Sequence, residues 1–298
     1  MTKVKSRLSL GTANWGQPYG LAGTETQVDA PTARAIIDAA RELGITRIDT
    51  AISYGGAEDL LGELGVADFE VTTKLPGLPD NVREVESWVR SHIEGSLSRL
   101  GIERLACVLL HRPDQLNGAR GDEFMQALLH LREQTMAEQI GLSVYDPGEL
   151  SNLEVRHYLK HLDRVQGPMS VLDQRFRTTG WLARLFESGV AFEARSVFLK
   201  GALALPRGEI PFELVKYQQT LHDWWQFVDQ LKSEPATVAI SAVLNEAHVE
   251  GVVVGSTNPT QLRQLGESAA HIAFDSVPNF GAPIEMIDPR LWHETSSP

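Results

Sequence analysis

Sulfhydryl groups are almost missing from this chain of 298 residues: Cys107 is its one cysteine. No disulfide can form within it, which suits a reducing compartment. Set in the apolar stretch Leu105 to Leu110, Cys107 reads as a small buried hydrophobe rather than a nucleophile. Positive charge is also short, with 27 Lys and Arg against 39 Asp and Glu and a formal charge of −12. That balance excludes the broad basic footprint of a nucleic-acid binder. No apolar run approaches the ~20 residues of a membrane-spanning helix. The basic start, Met1 to Arg7, leads into Leu8 with no long apolar segment behind it, so no secretory leader is expected. The nine histidines show no metal-ligand spacing; His157 and His161 lie four apart without an H-E-x-x-H pattern. The expectation is a cytoplasmic protein with no metal, no membrane and no nucleic acid among its partners.

What the chain does have is a regular alternation of short apolar runs and amphipathic stretches. Eight segments read as strands: Leu8 to Ala13, Arg47 to Ala51, Glu70 to Leu75, Ala106 to His111, Gln139 to Val144, Arg164 to Val171, Val190 to Phe198 and Gly251 to Gly255. Between them the helical period predicts Thr32 to Leu43, Ala57 to Leu64, Val82 to Leu100, Gly121 to Gln134, Glu149 to Leu159 and Gly180 to Glu187. A long region follows from Phe212 to Asn245, then Pro259 to Gly266. In the first helix Ile36, Ala39, Ala40 and Leu43 share a face opposite Arg34, Asp38 and Arg41, and Gly44 ends it. Strict alternation implies parallel strands with crossover helices, and near-continuous apolar runs imply strands covered on both sides. Eight such units predict a (β/α)8 barrel of the α/β class, one domain over residues 1–298 with a C-terminal loop segment from about 275. An open doubly wound sheet is the rival architecture. It would carry G-x-G-x-x-G after its first strand, and Gly11-Thr12-Ala13-Asn14-Trp15-Gly16 does not match. No repeat or low-complexity linker interrupts the chain.

Three strand ends carry polar groups that packing alone does not call for. Asp49 ends the second strand and Tyr54 follows five positions later; Lys74 and His111 end the third and fourth. In a (β/α)8 barrel the reactive groups sit at the C-terminal strand ends, so the four point toward one cleft. Each has a structural explanation when taken singly: Asp49 and Lys74 as a buried ion pair, Tyr54 as a core phenol, His111 as a satisfied histidine. An acid, an amine, a phenol and an imidazole on neighbouring strand ends are together the parts of a proton-transfer site.

The pattern Asp49-Thr50-Ala51-x-x-Tyr54-Gly55-x-x-Glu58-x-x-Leu61-Gly62, followed by Thr73-Lys74 and Leu109-Leu110-His111-Arg112, resembles the aldo-keto reductases. The likeness continues through Gly141-Leu142-Ser143, Gln166 and Gly255-Ser256-Thr257-Asn258-Pro259-x-Gln261-Leu262, in order along nearly the whole chain. It implies reduction of a small-molecule aldehyde, ketone or sugar carbonyl by NADPH, with NADH as the alternative donor. Tyr54 would be the general acid, Lys74 and Asp49 would tune it, and His111 would orient the carbonyl. A free phenol, with a pKa of about 10, is a weak acid at neutral pH unless a nearby ammonium favours its phenolate. The resemblance also implies a cofactor path along Gly11, Thr12, Ser143, Gln166, Arg195, Ser196, Gly255, Ser256, Thr257 and Gln261. Four positions depart from the pattern. Val144 stands where Asn is frequent, Arg195 where an aromatic ring commonly stacks on the nicotinamide, and Gly255 and Gln261 where many members place Lys and Arg around the adenosine 2′-phosphate.

Trp15, Tyr54, His111 and Arg112 are the expected substrate contacts, while Trp181, Trp224 and Trp225 read as packing. Arg112, Asp114, Arg175 and Arg177 suggest a polar or anionic substrate. Two readings from other classes stay open: a regulatory barrel that binds a dinucleotide without turnover, and a lyase using Lys74 as a Schiff base. Nothing in the chain specifies its oligomeric state.

Overall fold

Eight short strands emerge from the apolar segments, and in a computed structural model of the protein, which describes residues 7–21, 27–155, 158–268 and 276–295, they close into a barrel. They are β1 (Leu8–Gly11), β2 (Arg47–Asp49), β3 (Glu70–Leu75), β4 (Leu105–Leu110), β5 (Ala137–Ser143), β6 (Arg164–Pro168), β7 (Ala191–Arg195) and β8 (Val249–Gly255). Every neighbouring pair is parallel, and β1 closes the ring on β8 with Leu8 opposite Val252 and Gly11 opposite Gly255. Parallel strands need long return connections. These are carried by α1 (Ala30–Glu42), α2 (Ala57–Leu64), α3 (Val85–Leu100), α4 (Gly121–Glu133), α5 (Gly148–Val155), α6 (Arg175–Thr178), α7 (Trp181–Glu187), α8 (Gln218–Leu231) and α9 (Pro235–Leu244). Helix α10 (Pro259–Ser268) follows β8, and α11 (Ile284–Ile287) lies near the end. The predicted (β/α)8 barrel is the observed architecture.

Local chemistry accounts for the helix bounds. The Asp29 carboxylate accepts the Thr32 amide at 2.9 Å and Pro31 occupies the first turn, so α1 starts where its backbone donors are satisfied. Ala33, Ile36, Ile37 and Ala40 of α1 are buried against the barrel. Helix α2 coincides with its predicted bounds and packs so closely on α3 that a Cβ at Gly62 would lie 2.0 Å from the Arg99 carbonyl oxygen. Glu58, buried in that seam, accepts from the Thr73 hydroxyl at 2.6 Å and the Ser96 hydroxyl at 2.8 Å, and pairs with Arg99. It therefore ties β3, α2 and α3 together.

Several expectations are corrected. The helical region predicted over 212–245 is a 3-10 stretch at Phe212–Tyr217 followed by α8 and α9, because Lys232 adopts φ +52° and Pro235 starts a new helix. Helix α3 begins at Val85 rather than Val82, β6 stops at Pro168 rather than Val171, and β7 stops at Arg195 rather than Phe198. The predicted helix over 149–159 is α5 plus a 3-10 turn at Leu159–His161; residues 156–157, His157 included, lie outside the described residues, as do His271 and the basic start over 1–6. The C-terminal segment is more than a loop. Its Met286, Ile287 and Trp292 join Leu221, Trp224, Trp225 and Val228 of α8 in a second apolar cluster beside the main core.

Candidate active site

The catalytic candidates meet at the C-terminal end of the barrel, each delivered by a different element. Asp49 is the last residue of β2, Lys74 lies in β3, His111 follows β4, and Tyr54 hangs in the loop between β2 and α2. That loop is clamped backbone to backbone. Gly55 has φ +57°, a Cβ on it would lie 2.3 Å from the Gly16 carbonyl oxygen, and one on Gly16 would lie 1.7 Å from that of Tyr54. Only glycine fits both sides of this contact, so it holds Tyr54 in place without any side chain.

Lys74 donates to Asp49 Oδ1 at 2.6 Å and to the Thr50 carbonyl at 3.0 Å, and its ammonium lies 5.1 Å from the centre of the Tyr54 ring. Lys74 is 1% exposed. Burial pulls its pKa down, but the Asp49 carboxylate and the neighbouring phenol more than reverse that and hold it above its ordinary range. Burial, joined by the negative charge of Glu193, leaves Asp49 above the usual carboxylate range despite Lys74. The Tyr54 and His111 rings meet edge to face with centroids 6.0 Å apart, and His111 Nδ1 lies 3.3 Å from the Ser53 hydroxyl. Burial, then the positive charges of Lys74 and Arg195, push the His111 pKa down to about 4. At neutral pH the imidazole is uncharged. It can orient a ligand by a hydrogen bond, but it is not charged to act as the acid.

Asp49, Ser53, Tyr54 and His111 open into a cavity of ≈ 1000 Å³, at the upper end of the ~300–1,000 Å³ typical of ligand pockets, with Lys74 buried behind its lining. Of the residues predicted from the resemblance, Gly11, Asp49, Tyr54, His111, Ser143, Arg195, Ser196, Gly255, Ser256, Thr257 and Gln261 line it. Thr12 does not. It is buried, and both its amide and its hydroxyl donate to the Asp49 carbonyl at 3.0 Å, bracing the end of β2. Gln166 lies deeper still, with Nε2 donating to Asp49 Oδ2 at 2.7 Å and to Glu193 Oε2 at 2.9 Å. Two carboxylates fix which end of that amide is which, and its Oε1 is buried without a protein donor. An orphaned acceptor in this place fits the N–H groups of a nicotinamide carboxamide. Gln261 folds back onto its own loop, accepting from the Thr257 amide at 2.9 Å.

Among the described residues Arg195 has no carboxylate partner. Its guanidinium stacks 4.2 Å from the centre of the Tyr145 ring and donates to the Val144 carbonyl at 2.9 Å. A second guanidinium, Arg290 from the C-terminal segment, lies over the same ring at 3.8 Å.

Two expected substrate contacts sit elsewhere. Trp15 is 2% exposed and packs in the main core rather than lining the cavity. Arg112 is exposed and paired with Asp114, two residues on, outside the cavity lining. The anionic-substrate expectation also loses its other arginines: Arg175 is held by Asp173 and Asp146, and Arg177 by Glu246 and Gln174. Sequence reasoning passed over Glu193, Tyr145, Lys200 and Glu267. Of these, Glu193 had a legible signal, a lone acid inside an apolar strand. Among the described residues no group of acidic, histidine or cysteine side chains could hold a metal, and burial pushes the Cys107 thiol up to about 12, which makes it inert at neutral pH.

Residues 7–276 match the model of the aldo/keto reductase family. The chain is similar to D-threo-aldose 1-dehydrogenase of Pseudomonas sp, with 28% identity over 305 residues that cover 88% of this chain and 89% of that one. It is similar to aflatoxin B1 aldehyde reductase member 4 of Homo sapiens, with 34% identity over 135 residues; that match takes in 43% of this chain and 40% of the relative's length. The solved holo form of an aldo-keto reductase from Bacillus halodurans shares the fold at a TM-score of 0.70 and 22% identity, covering 91% of this chain and 88% of that one.

Proposed function

The chain belongs to the aldo/keto reductase family, a family of nicotinamide-dependent oxidoreductases, and from that premise we propose that it reduces an aldehyde, ketone or sugar carbonyl with Tyr54 as the general acid. The buried Lys74–Asp49 pair beside the Tyr54 ring, at the edge of a cavity large enough for a dinucleotide and a small substrate, carries this reading. When bound, NAD(P)H supplies the hydride. Tyr54 gives its proton to the substrate oxygen as negative charge develops there. Lys74, kept protonated by Asp49, stabilises the phenolate left behind. Neutral His111 donates an N–H to the same oxygen and aligns it. Gln166 Oε1 and Ser143 would hold the carboxamide. Asn14, Gln17 and Ser53 on the cavity wall suit a hydroxyl-bearing carbonyl compound such as a sugar aldehyde.

The Schiff-base alternative needs an unprotonated amine, which a carboxylate 2.6 Å away opposes. The decisive variant is Tyr54→Phe. Assayed by NAD(P)H oxidation with a panel of aldehydes and aldoses, it should lose about 10²-fold or more in kcat while dinucleotide still quenches tryptophan fluorescence as in the wild type. Retained turnover would end the assignment; borohydride trapping of a carbonyl substrate on Lys74 would replace it with the lyase.

The choice of dinucleotide turns on the Gly255 to Gln261 corner. Among the described residues no Lys or Arg lines the cavity there, Glu267 does, and Arg263 is engaged by Glu42 at 2.7 Å. NADPH, the donor expected from the resemblance, therefore lacks a side-chain cation for its 2′-phosphate. We expect NADH to bind at least as tightly, and dissociation constants for the two would decide it.

A further inference from the structure

Gln166 is gripped by two carboxylates, and only one of them belongs to the residues given a role above. The other, Glu193 on β7, is 2% exposed. Its Oε1 accepts from the Ser9 hydroxyl of β1 at 2.6 Å and lies 3.6 Å from the Arg164 guanidinium of β6; its Oε2 accepts from Gln166 at 2.9 Å. β6 and β2 are not neighbours in the ring, nor are β7 and β1, so the Gln166–Asp49 and Ser9–Glu193 bonds run through the lumen. A continuous polar chain thus crosses the barrel from Glu193 through Gln166, Asp49 and Lys74, and ends 5.1 Å from the centre of the Tyr54 ring. Barrel interiors are usually filled by branched apolar side chains, and a buried carboxylate is costly to keep there. An apolar residue at 193 would fill the same space without that cost.

We propose that Glu193 is a positioning residue for carbonyl reduction: through Gln166 it locks the second oxygen of Asp49 and sets the electrostatic field in which the Tyr54 hydroxyl releases its proton. The inference rests on the reading of Tyr54 as the general acid. The charges along this chain balance, Asp49 and Glu193 against Lys74 and Arg164. Facing Glu193 are Ser9 from β1, Arg164 from β6, Asp49 from β2 and Cys107 from β4, with Glu250 of β8 on the far side of Arg164 and Lys74 on the far side of Asp49. Facing Tyr54 are Lys74, His111 and Tyr19, and the charge of Arg195 acts on all three of these. Deleting the negative charge of Glu193 leaves this set with a surplus positive charge, which favours phenolate. The same Gln166 orientation leaves its Oε1 free for a carboxamide, so Glu193 also presets that acceptor.

The test is a spectrophotometric titration of phenolate in wild type, Tyr54→Phe, Glu193→Gln and the double variant, beside the pH profile of kcat for glyceraldehyde reduction. The component missing from Tyr54→Phe is Tyr54 itself. In Glu193→Gln it should move toward acid by about one pH unit, the size of effect a buried unit charge has on a nearby titratable group. The alkaline limb of kcat should move with it, and Glu193→Asp, which keeps the charge, should hold both near the wild-type position. If Glu193→Gln does not fold, Glu193→Thr makes the same charge deletion with a smaller side chain. A Tyr54 titration that stays put while only the melting temperature falls would reduce Glu193 to a packing residue and overturn the proposal. The titration needs no turnover, so a wild type that reduces no carbonyl would sink the reductase reading separately.

Discussion

The two sides of this barrel wall are built from opposite chemistries, although the same eight strands supply both. On the outer side Leu8, Leu10, Ile48, Val71, Val108, Val165, Phe192 and Val252 pack with Ile36, Leu61, Val89 and Ile93 of the helices into one continuous apolar core. On the inner side Ser9, Asp49, Lys74, Arg164, Gln166 and Glu193 are buried and polar. The alternation is clear on β1 and β6, with Ser9 inward between Leu8 and Leu10, and Val165 outward between Arg164 and Gln166, while Leu109 and Val253 are apolar residues on the inner side and Thr73 is a polar one on the outer side. Fold stability and reactivity are therefore largely separated between the two sides of the wall. The outer side stabilises through the apolar area it removes from water, roughly 25 cal/mol per Å². The inner side holds charges that must be paired to stay there at all. A change on one side should damage the fold and a change on the other the chemistry, and where that division fails the comparison is wrong.

The largest effect should come from breaking an inner pair. Lys74→Met leaves Asp49 buried without its cation, and should destabilise the chain by about 3–5 kcal/mol while lowering kcat by about 10²-fold or more. Replacing both partners, Asp49→Leu with Lys74→Met, should return most of the stability in urea unfolding and none of the activity. A double variant as unstable as the single one would mean that the inner side contributes to the fold in its own right. Next in size is the outer side. Leu61→Ala, at a fully buried position in α2, should cost about 2–5 kcal/mol of unfolding free energy with kcat of the folded protein unchanged; a fall in kcat would couple the two sides.

The smallest effect is graded with pH. His111 is held neutral down to about pH 4 in the fold, against an ordinary value of about 6.5 in an unfolded chain. The unfolded state therefore takes up the proton first. The His111 contribution to stability is complete above about pH 6.5 and is lost as pH falls toward 4, by about 3 kcal/mol in all. His111→Asn should flatten that part of the stability profile. A slope that survives the substitution would assign it to other groups.

Much of this was legible before any coordinates. Alternation of apolar runs and helical stripes is a local property, so the strand number and the parallel order could be read directly, and α2 came out at its observed bounds. Asp49, Lys74 and His111 were conspicuous because each interrupts or ends an apolar run. What escaped reading depended on direction or on partners. Trp15 and Arg112 occupy loops at the correct end of the barrel, yet Trp15 turns inward to the core and Arg112 turns to Asp114. The arginines at 175 and 177 looked available for an anion until the acids that engage them came into view, one of them, Glu246, far along the chain. The break between α8 and α9 was written in Pro235 and overlooked. Glu193 was visible as a single acid within β7, two positions before Arg195 and so on the same side of the strand, but its meaning depended on what lay across the lumen.

The sequence by itself determined which segments become strands, which of their residues face inward, and that an acid, an amine, an imidazole and a phenol gather at one end, because all of these follow from spacing along a single strand or loop. Only the tertiary structure decided that Gln166 serves two carboxylates, that Glu193 joins the line leading to Tyr54, and that Arg195 stacks on Tyr145. The Gln166–Asp49 bond and the Arg195–Tyr145 stack join β6 to β2 and β7 to the loop after β5, which are not neighbours, and the Gln166–Glu193 bond between neighbouring strands gains its meaning only when the closed ring extends it to Asp49.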